Sequence, residues 1–351
     1  MTLTILQRLY RWFPVFLVAV MFVGSYYIFV VELCFYTVTS IAERVTFLVI
    51  YYILFTMFLW SYIVTASTRP ATPPKRFHFS KRIKELFALG NRTEELGYLL
   101  RQAIKKHPIH TMTHEGNMRF CEQCQLIKPD RCHHCRVCNT CVLKYDHHCA
   151  WLNNCVGFSN YKDFLLVLFY GCLYFAFGAA TSLYYMIMFW TGAIPDSPTK
   201  IPILIMFCLF TFIFLLLFLL NVFHCRIAGK NRSTLEHCHF SFAMNGLSRD
   251  SYSLGFWQNL KQVLGDKKKW WLLPVFIRLG DGCSFPIQYQ ATVSIYPNHP
   301  DFLPLTFSER NSCCNFNSLL FKTIKLLIAW IRYFQKRLRR REPPRTPEYF
   351  A

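Results

Sequence analysis

One cysteine–histidine pattern occurs twice between residues 121 and 155, the second copy shifted by 14 positions and interleaved with the first. The first reads Cys121, Cys124, His134, Cys141; the second reads Cys135, Cys138, His148, Cys155. Both have the form C-x2-C-x9-H-x6-C. Each supplies four soft or borderline ligands, enough for one tetrahedral zinc, so the segment is expected to hold two zinc ions. A second imidazole precedes each histidine of the pattern, at His133 and His147. Shifting both assignments by one keeps the 14-residue offset, so spacing leaves open which histidine of each pair binds metal. The segment 120–160 is rich in Cys, His and Asn with little periodicity, and its fold is expected to come from metal more than from a core.

The pattern leaves Cys149 unused. It follows Asp146, His147 and His148. A free thiol near its ordinary pKa is mostly protonated in the cytosol. A neighbouring imidazole can take its proton or stabilise the thiolate, and a carboxylate can fix the imidazole tautomer. With His148 assigned to zinc by the repeat, Asp146, His147 and Cys149 are the candidate carboxylate, base and nucleophile. Cys132 is also left over but lacks that Asp–His context.

Apolar residues place this chemistry at a membrane. The chain has 351 residues and is 53% hydrophobic. Four stretches lack Asp, Glu, Lys and Arg over spanning length: Phe13–Val31, Val45–Thr68, Phe164–Pro195 and Ile201–Phe223. The third ends in a turn, Thr191-Gly192-Ala193-Ile194-Pro195. The fold class is therefore an α-helical integral membrane protein, with four transmembrane helices and a two-zinc Cys-rich domain between helices 2 and 3. Lys and Arg number 2 in residues 1–12, 16 in 67–162 and 19 in 225–351. The short connections 38–45 and 191–200 carry one each, Arg44 and Lys200. By the positive-inside rule both termini and the Cys-rich domain are cytosolic. The net charge of +20 is then largely a topology signal, a surface for anionic lipid rather than nucleic acid. The first apolar run reads as an uncleaved anchor. Of sixteen cysteines, eight lie in the cytosolic cluster, in a reducing compartment, and point to metal and thiol chemistry rather than disulfides.

The expected organisation is residues 1–68 for the N-terminus and first two helices; 69–162 for a linker and zinc domain, core 119–162; 163–224 for helices 3 and 4; and 225–351 for a cytosolic C-terminal region. Prolines in 69–80 stop the second helix, 81–106 read as helical, charged and cytosolic, and 256–264 as a short amphipathic segment. Residues 318–341 read as an interfacial amphipathic helix or as one packed on the soluble domain. Cys313-Cys314 is either a lipidation site or a pair of exposed thiols.

A thiol tethered at a membrane face suits thioester exchange with a substrate that is part lipid and part aqueous. Long-chain acyl-CoA fits: the chain enters the bilayer, and the phosphates meet basic residues such as Arg119, Lys128, Arg131 and Arg136.

The run Asp146-His147-His148-Cys149 in this Cys-rich segment, two membrane helices before it and two after, resembles the DHHC family of protein S-acyltransferases. Ser233-Thr234-Leu235-Glu236 is similar to that family's TTxE motif, and Asn259 beside Phe256 and Trp257 to its C-terminal aromatic/Asn motif. Segments 124–130, 156–162 and 271–286 resemble a vertebrate subgroup of broad-specificity plasma-membrane and Golgi enzymes. The resemblance covers roughly residues 10–290. It implies two structural zincs with His134 and His148 as the ligand histidines, and autoacylation of Cys149 by palmitoyl-CoA or related acyl-CoAs. Transfer to cysteines of membrane-associated substrate proteins follows, at the Golgi, endoplasmic reticulum or plasma membrane. It implies acyl-CoA contacts at Lys128, His133 and Arg119, and an acyl cavity among the four helices with Ser25, Tyr174 and Gly24 at its far end. It implies supporting roles for Thr234, Glu236 and Asn259, Thr234 bracing Asp146. Three positions depart from the family pattern: Ala150 replaces the proline after the DHHC cysteine, Gly24 a bulky aromatic, and Arg69-Pro70 an Asp-Pro-Gly motif. The alternative reading is a zinc-braced membrane adaptor of weak catalysis; retention of Asp146, His147 and Cys149 argues for the enzyme.

Overall fold

The computed structural model describes residues 5–89, 94–107, 109–111, 119–238, 250–275, 277 and 279–287. Cys313-Cys314 and the helix expected over 318–341 lie outside them.

Among the described residues, four helices are long and apolar enough to cross a membrane. The first comprises α1 (Ile5–Tyr26) and a wider-wound π-helical continuation, Tyr27–Thr37. The others are α2 (Ile41–Ser67), α5 (Tyr161–Trp190) and α6 (Lys200–Gly229). The first span thus runs through Glu32 to Thr37, beyond the charge-free stretch that marks it in the sequence. Ser40 begins α2 by accepting a hydrogen bond from the Glu43 N–H at 3.4 Å. α5 and α6 pack closely because Gly178 leaves room for the Phe210 ring; a Cβ at Gly178 would overlap it. The core between the spans is mostly aromatic, with Phe22, Phe29, Tyr51, Phe58, Tyr174, Phe175 and Phe210 all buried.

Between α2 and α5 the chain forms α3 (Lys81–Ala88), α4 (Glu94–Lys105) and three two-stranded hairpins. The helical stretch expected over 81–106 holds these two helices. Ser80 caps α3, accepting from the Ile83 N–H at 3.4 Å. Ile83, Leu86, Leu96 and Leu100 of α3 and α4 are buried against Leu126, Ile127 and Leu143 of the hairpins. The zinc segment thus has a modest apolar core that its weak periodicity did not announce.

The hairpins are β1 (Phe120–Cys121) with β2 (Leu126–Ile127), β3 (His133–Cys135) with β4 (Thr140–Val142), and β5 (His147–Cys149) with β6 (Asn154–Val156). The pairs Cys121–Leu126, Cys135–Thr140 and Cys149–Asn154 occupy equivalent register positions, 14 residues apart. Each turn has one non-glycine residue at positive φ: Gln125 at 52°, Asn139 at 52° and Asn153 at 46°. Asparagine tolerates this region better than most L residues. The 14-residue repeat therefore runs three times, not two. In the third copy Leu152 stands where Cys124 and Cys138 stand in the others, and it is buried beside Val156, Tyr161 and Phe164. Cys149 is the first cysteine of a hairpin whose second has become a core leucine.

After α6 come α7 (Thr234–Cys238) and α8 (Phe256–Leu264). Asn259 of α8 is fully buried. Its side-chain amide donates to the Gly229 carbonyl at the end of α6 and to the Ser253 hydroxyl, both at 2.8 Å, while its Oδ1 accepts from the Leu254 N–H.

Candidate active site

Two groups of donor atoms converge in the hairpins. Cys121, Cys124, His134 and Cys141 form one, and Cys135, Cys138, His148 and Cys155 the other; within each, the ligand atoms lie within 4.8 Å of one another. His134 Nδ1 is 3.5, 3.3 and 3.8 Å from the three sulfurs of its group. His148 Nδ1 is 3.8, 3.4 and 3.5 Å from its three. A zinc with ordinary bond lengths needs sulfur–nitrogen edges of about 3.6 Å in a tetrahedron, so both groups fit the ion. The contacts go to His134 and His148; His133 and His147 point elsewhere. In each group the imidazole nearest the sulfurs is that of the second histidine of the pair.

His147 is built into a different network. Its Nδ1 lies 2.6 Å from Asp146 Oδ2. Asp146 is buried and accepts two further hydrogen bonds from the start of α7: Thr234 N–H to Oδ1 at 2.7 Å and Thr234 Oγ1 to Oδ2 at 2.8 Å. Burial pushes the Asp146 carboxyl up, but the His147 hydrogen bond and charge and the Thr234 N–H pull it down to about 2. Burial pulls the His147 imidazole down, but Asp146 and then the Cys149 thiol push it up to about 10. The two shifts agree that the pair favours carboxylate and imidazolium.

Cys149 follows on β5, half-buried against the ends of the spans, with Tyr62 and Ala66 of α2, Leu165 of α5 and Leu217 and Leu220 of α6 around the same apolar cluster. The third hairpin is fastened to that bundle end. Asn154, opposite Cys149, donates its side-chain amide to the carbonyls of Thr65, Ala66 and Thr68 at 3.1, 3.1 and 2.8 Å. Asn160 donates to the Thr65 and Cys155 carbonyls, and Tyr62 to the Trp151 carbonyl at 2.8 Å. The α2 end has spent its own helical donors, and these side chains satisfy its last carbonyls.

Other predicted residues fall in distinct places. Arg119 is buried; its guanidinium donates to Thr111 Oγ1 at 2.6 Å and to the Cys132 carbonyl at 2.7 Å, and lies 3.3 Å from His133 Nε2. Lys128 is half-buried after β2. Arg131, one of the basic residues available for a phosphate, is instead enclosed. It holds both Glu236 oxygens at 2.7 Å and Asn231 Oδ1 and carbonyl at 3.2 and 2.6 Å, with Tyr252 and Phe285 rings each 4.9 Å from the guanidinium. Burial pulls Arg131 down, but Glu236 and then Tyr252 and Asp130 leave it above its ordinary value. Burial raises Glu236, and the facing Arg131 charge brings it below the ordinary carboxylate value. Burial and the neighbouring Arg131 bring Lys144, which donates to Asn231 Oδ1 at 2.9 Å, down to about 7.

Ser25 and Tyr174 meet across α1 and α5: the Tyr174 hydroxyl donates to Ser25 Oγ at 2.7 Å. Gly24 lies on α1 where a Cβ would meet no atom within 4 Å. Residues that the sequence reading passed over are Asn154, Asn160, Asn231, Lys144 and His224. His224, buried in α6, lies with its ring 6.0 Å from that of His147 and hydrogen-bonds the Tyr161 hydroxyl at 3.2 Å. Only the asparagine enrichment near the third turn hinted at any of them.

A helical membrane protein with two Cys3His sites beside an Asp–His–Cys run is matched by known proteins. The DHHC palmitoyltransferase family profile covers residues 114–241. Palmitoyltransferase ZDHHC20-A of Danio rerio is 42% identical over 321 residues, 88% of this chain and 90% of its own length. Palmitoyltransferase ZDHHC2 of Mus musculus is 48% identical over 80% of this chain and 76% of its own. For Palmitoyltransferase ZDHHC20 of Homo sapiens the figures are 46%, 80% and 78%. The chain belongs to the DHHC palmitoyltransferase family. It is a membrane enzyme, a protein S-palmitoyltransferase.

Proposed function

We propose that the chain moves a long-chain acyl group from acyl-CoA to Cys149 and then to cysteines of membrane-associated proteins. His147 holds the proton of the Cys149 thiol as an imidazolium, and the Cys149 thiolate attacks the acyl carbonyl; that proton goes on to the leaving CoA sulfur. Asp146, held by Thr234, fixes the imidazole orientation and balances its charge. The CoA thiol leaves with a proton, and Cys149 carries the acyl group as a thioester. A substrate cysteine thiol then attacks, its proton passing to His147, and Cys149 is restored. Forming and breaking bonds are alike, so the exchange is close to balanced. The observation that carries this reading is the unbroken contact from Thr234 through Asp146 to His147 beside a free cysteine at the end of the helical bundle.

Zinc bound by the two Cys3His groups supplies structural bracing, closing the hairpins that flank β5. Lys128 and His133 meet the CoA portion, with Arg119 acting through His133. The acyl chain lies among the membrane helices, and Ser25 with Tyr174 closes its far end. The hairpins and both termini face the cytosol, in a Golgi, endoplasmic reticulum or plasma membrane.

The test is autoacylation of purified full-length protein by alkyne-tagged palmitoyl-CoA. Label should be released by hydroxylamine and map to Cys149. Label mapping to Cys132 with Cys149 bare would overturn the assignment.

A further inference from the structure

The Ser25–Tyr174 hydrogen bond does not stand alone. Tyr51 of α2 is 1% exposed, and its hydroxyl lies 3.0 Å from that of Tyr174. Ser25 Oγ donates to the Phe22 carbonyl at 3.0 Å, an acceptor with no proton to give. Ser25 must therefore accept from Tyr174, at 2.7 Å. Each hydroxyl carries one proton, so Tyr174 has none left for Tyr51, and Tyr51 is the donor. The protons run one way, from Tyr51 to Tyr174 to Ser25 to the Phe22 carbonyl. The chain crosses α2, α5 and α1 at one level of the bundle.

Packing fixes the origin of this relay. The Tyr51 ring stacks on Phe29 with centroids 4.3 Å apart and planes 11° apart, and Phe29 is fully buried. Phe55 stacks on Tyr51 as well, at 5.6 Å and 19°. Tyr51 therefore presents its hydroxyl from a ring with little freedom. Inside an apolar bundle a hydroxyl that loses its partner finds no water to replace it.

We propose that Tyr51 is a further acyl-chain-specificity residue, one that fixes Tyr174 in place as the closed end of the acyl cavity. This rests on the reading of Ser25 and Tyr174 as that end. Tyr51 acts through Tyr174, as a positioning residue. Without the Tyr51 hydroxyl, Tyr174 is held on one side only. A longer acyl chain then displaces it more readily.

The experiment is competition between C14, C16 and C18 acyl-CoAs for autoacylation of the purified full chain, with bound acyl groups resolved by mass spectrometry. Tyr51→Phe keeps the ring and its stacking and removes only the oxygen. It should raise the C18-to-C16 ratio about threefold, the size of one modest hydrogen bond. Added to Tyr174→Phe, it should change nothing more, because the two act on one bond. Ser25→Ala, which breaks the chain one link further on, should shift the ratio in the same direction. Ser25→Phe, which fills the end, should favour C14 over C16. If Ser25→Phe shifts the preference and Tyr51→Phe leaves it at the wild-type value, the role of Tyr51 is overturned and the cavity end stands. A shift by Tyr51→Phe that persists fully in the Tyr174→Phe background also overturns it. If no variant moves the ratio, the cavity-end reading fails, and this inference fails with it.

Discussion

Thr234 grips both carboxylate oxygens of Asp146, its N–H on Oδ1 and its hydroxyl on Oδ2, from a helix 88 residues further along the chain. The side chain that orients His147 is therefore set by a helix beyond the last membrane span. Zinc hairpins and C-terminal region meet at this point.

Replacing Thr234 with Ala removes the hydroxyl bond and leaves the backbone bond. A hydrogen bond to a charged group is worth about 1.5 kcal/mol or more, so single-turnover autoacylation should slow about tenfold. Thr234→Ser keeps the hydroxyl and should stay near the wild-type rate. Equal loss in both variants would show that the hydroxyl does not act on Asp146.

Cys149→Ser should abolish transfer while zinc content stays at two per chain. His147→Ala should slow autoacylation by about 10²–10⁴-fold, the usual range for general-base assistance. Cys138→Ala should lower zinc and destabilise the hairpins, because structural zinc contributes folding free energy directly. Elemental analysis of the three proteins separates the roles; loss of zinc from Cys149→Ser would reassign the ligands.

Asn154→Ala strips the amide that three carbonyls at the end of α2 share, and sits opposite Cys149 on the hairpin. Asn160 still serves the Thr65 carbonyl, and leaving those of Ala66 and Thr68 without this donor should cost about 1–3 kcal/mol. Zinc content should hold, since Asn154 is no ligand, while autoacylation falls as Cys149 loses its anchorage to the bundle. Full activity in Asn154→Ala would mean that this seam does not position the nucleophile.

Glu236 titrates below its ordinary value because Arg131 faces it. A depressed carboxyl contributes stability above its unfolded pKa of about 4.3, and loses it as pH falls through the folded value. Glu236→Gln leaves the buried Arg131 charge unpaired and should destabilise by about 3 kcal/mol near neutrality. The gap between wild type and Glu236→Gln should shrink as pH falls below about 4. Both proteins lose zinc in acid, so the difference in their thermal midpoints isolates the pair. A gap independent of pH throughout would exclude the ionic contribution.

The spans and the metal groups were legible because their signals are local. An apolar run states its own solvent, and a cysteine spacing states its own ligand count. The sequence therefore determined four membrane helices, two Cys3His groups able to hold metal and a leftover thiol beside Asp146 and His147. It could not choose between His133 and His134, since both satisfy the same offset; only the direction in which each ring leaves its strand decides that. Nor did it reveal that the repeat runs a third time, because Leu152 replaced the cysteine that would have shown it. Arg131 looked like a phosphate contact among basic neighbours, and folding enclosed it with Glu236, 105 residues away. Tyr51 and Tyr174 are 123 residues apart, and Thr65 and Asn154 are 89 apart. Buried polar groups must find partners wherever packing brings them. Those partners belong to the tertiary structure, and residue spacing carries no trace of them.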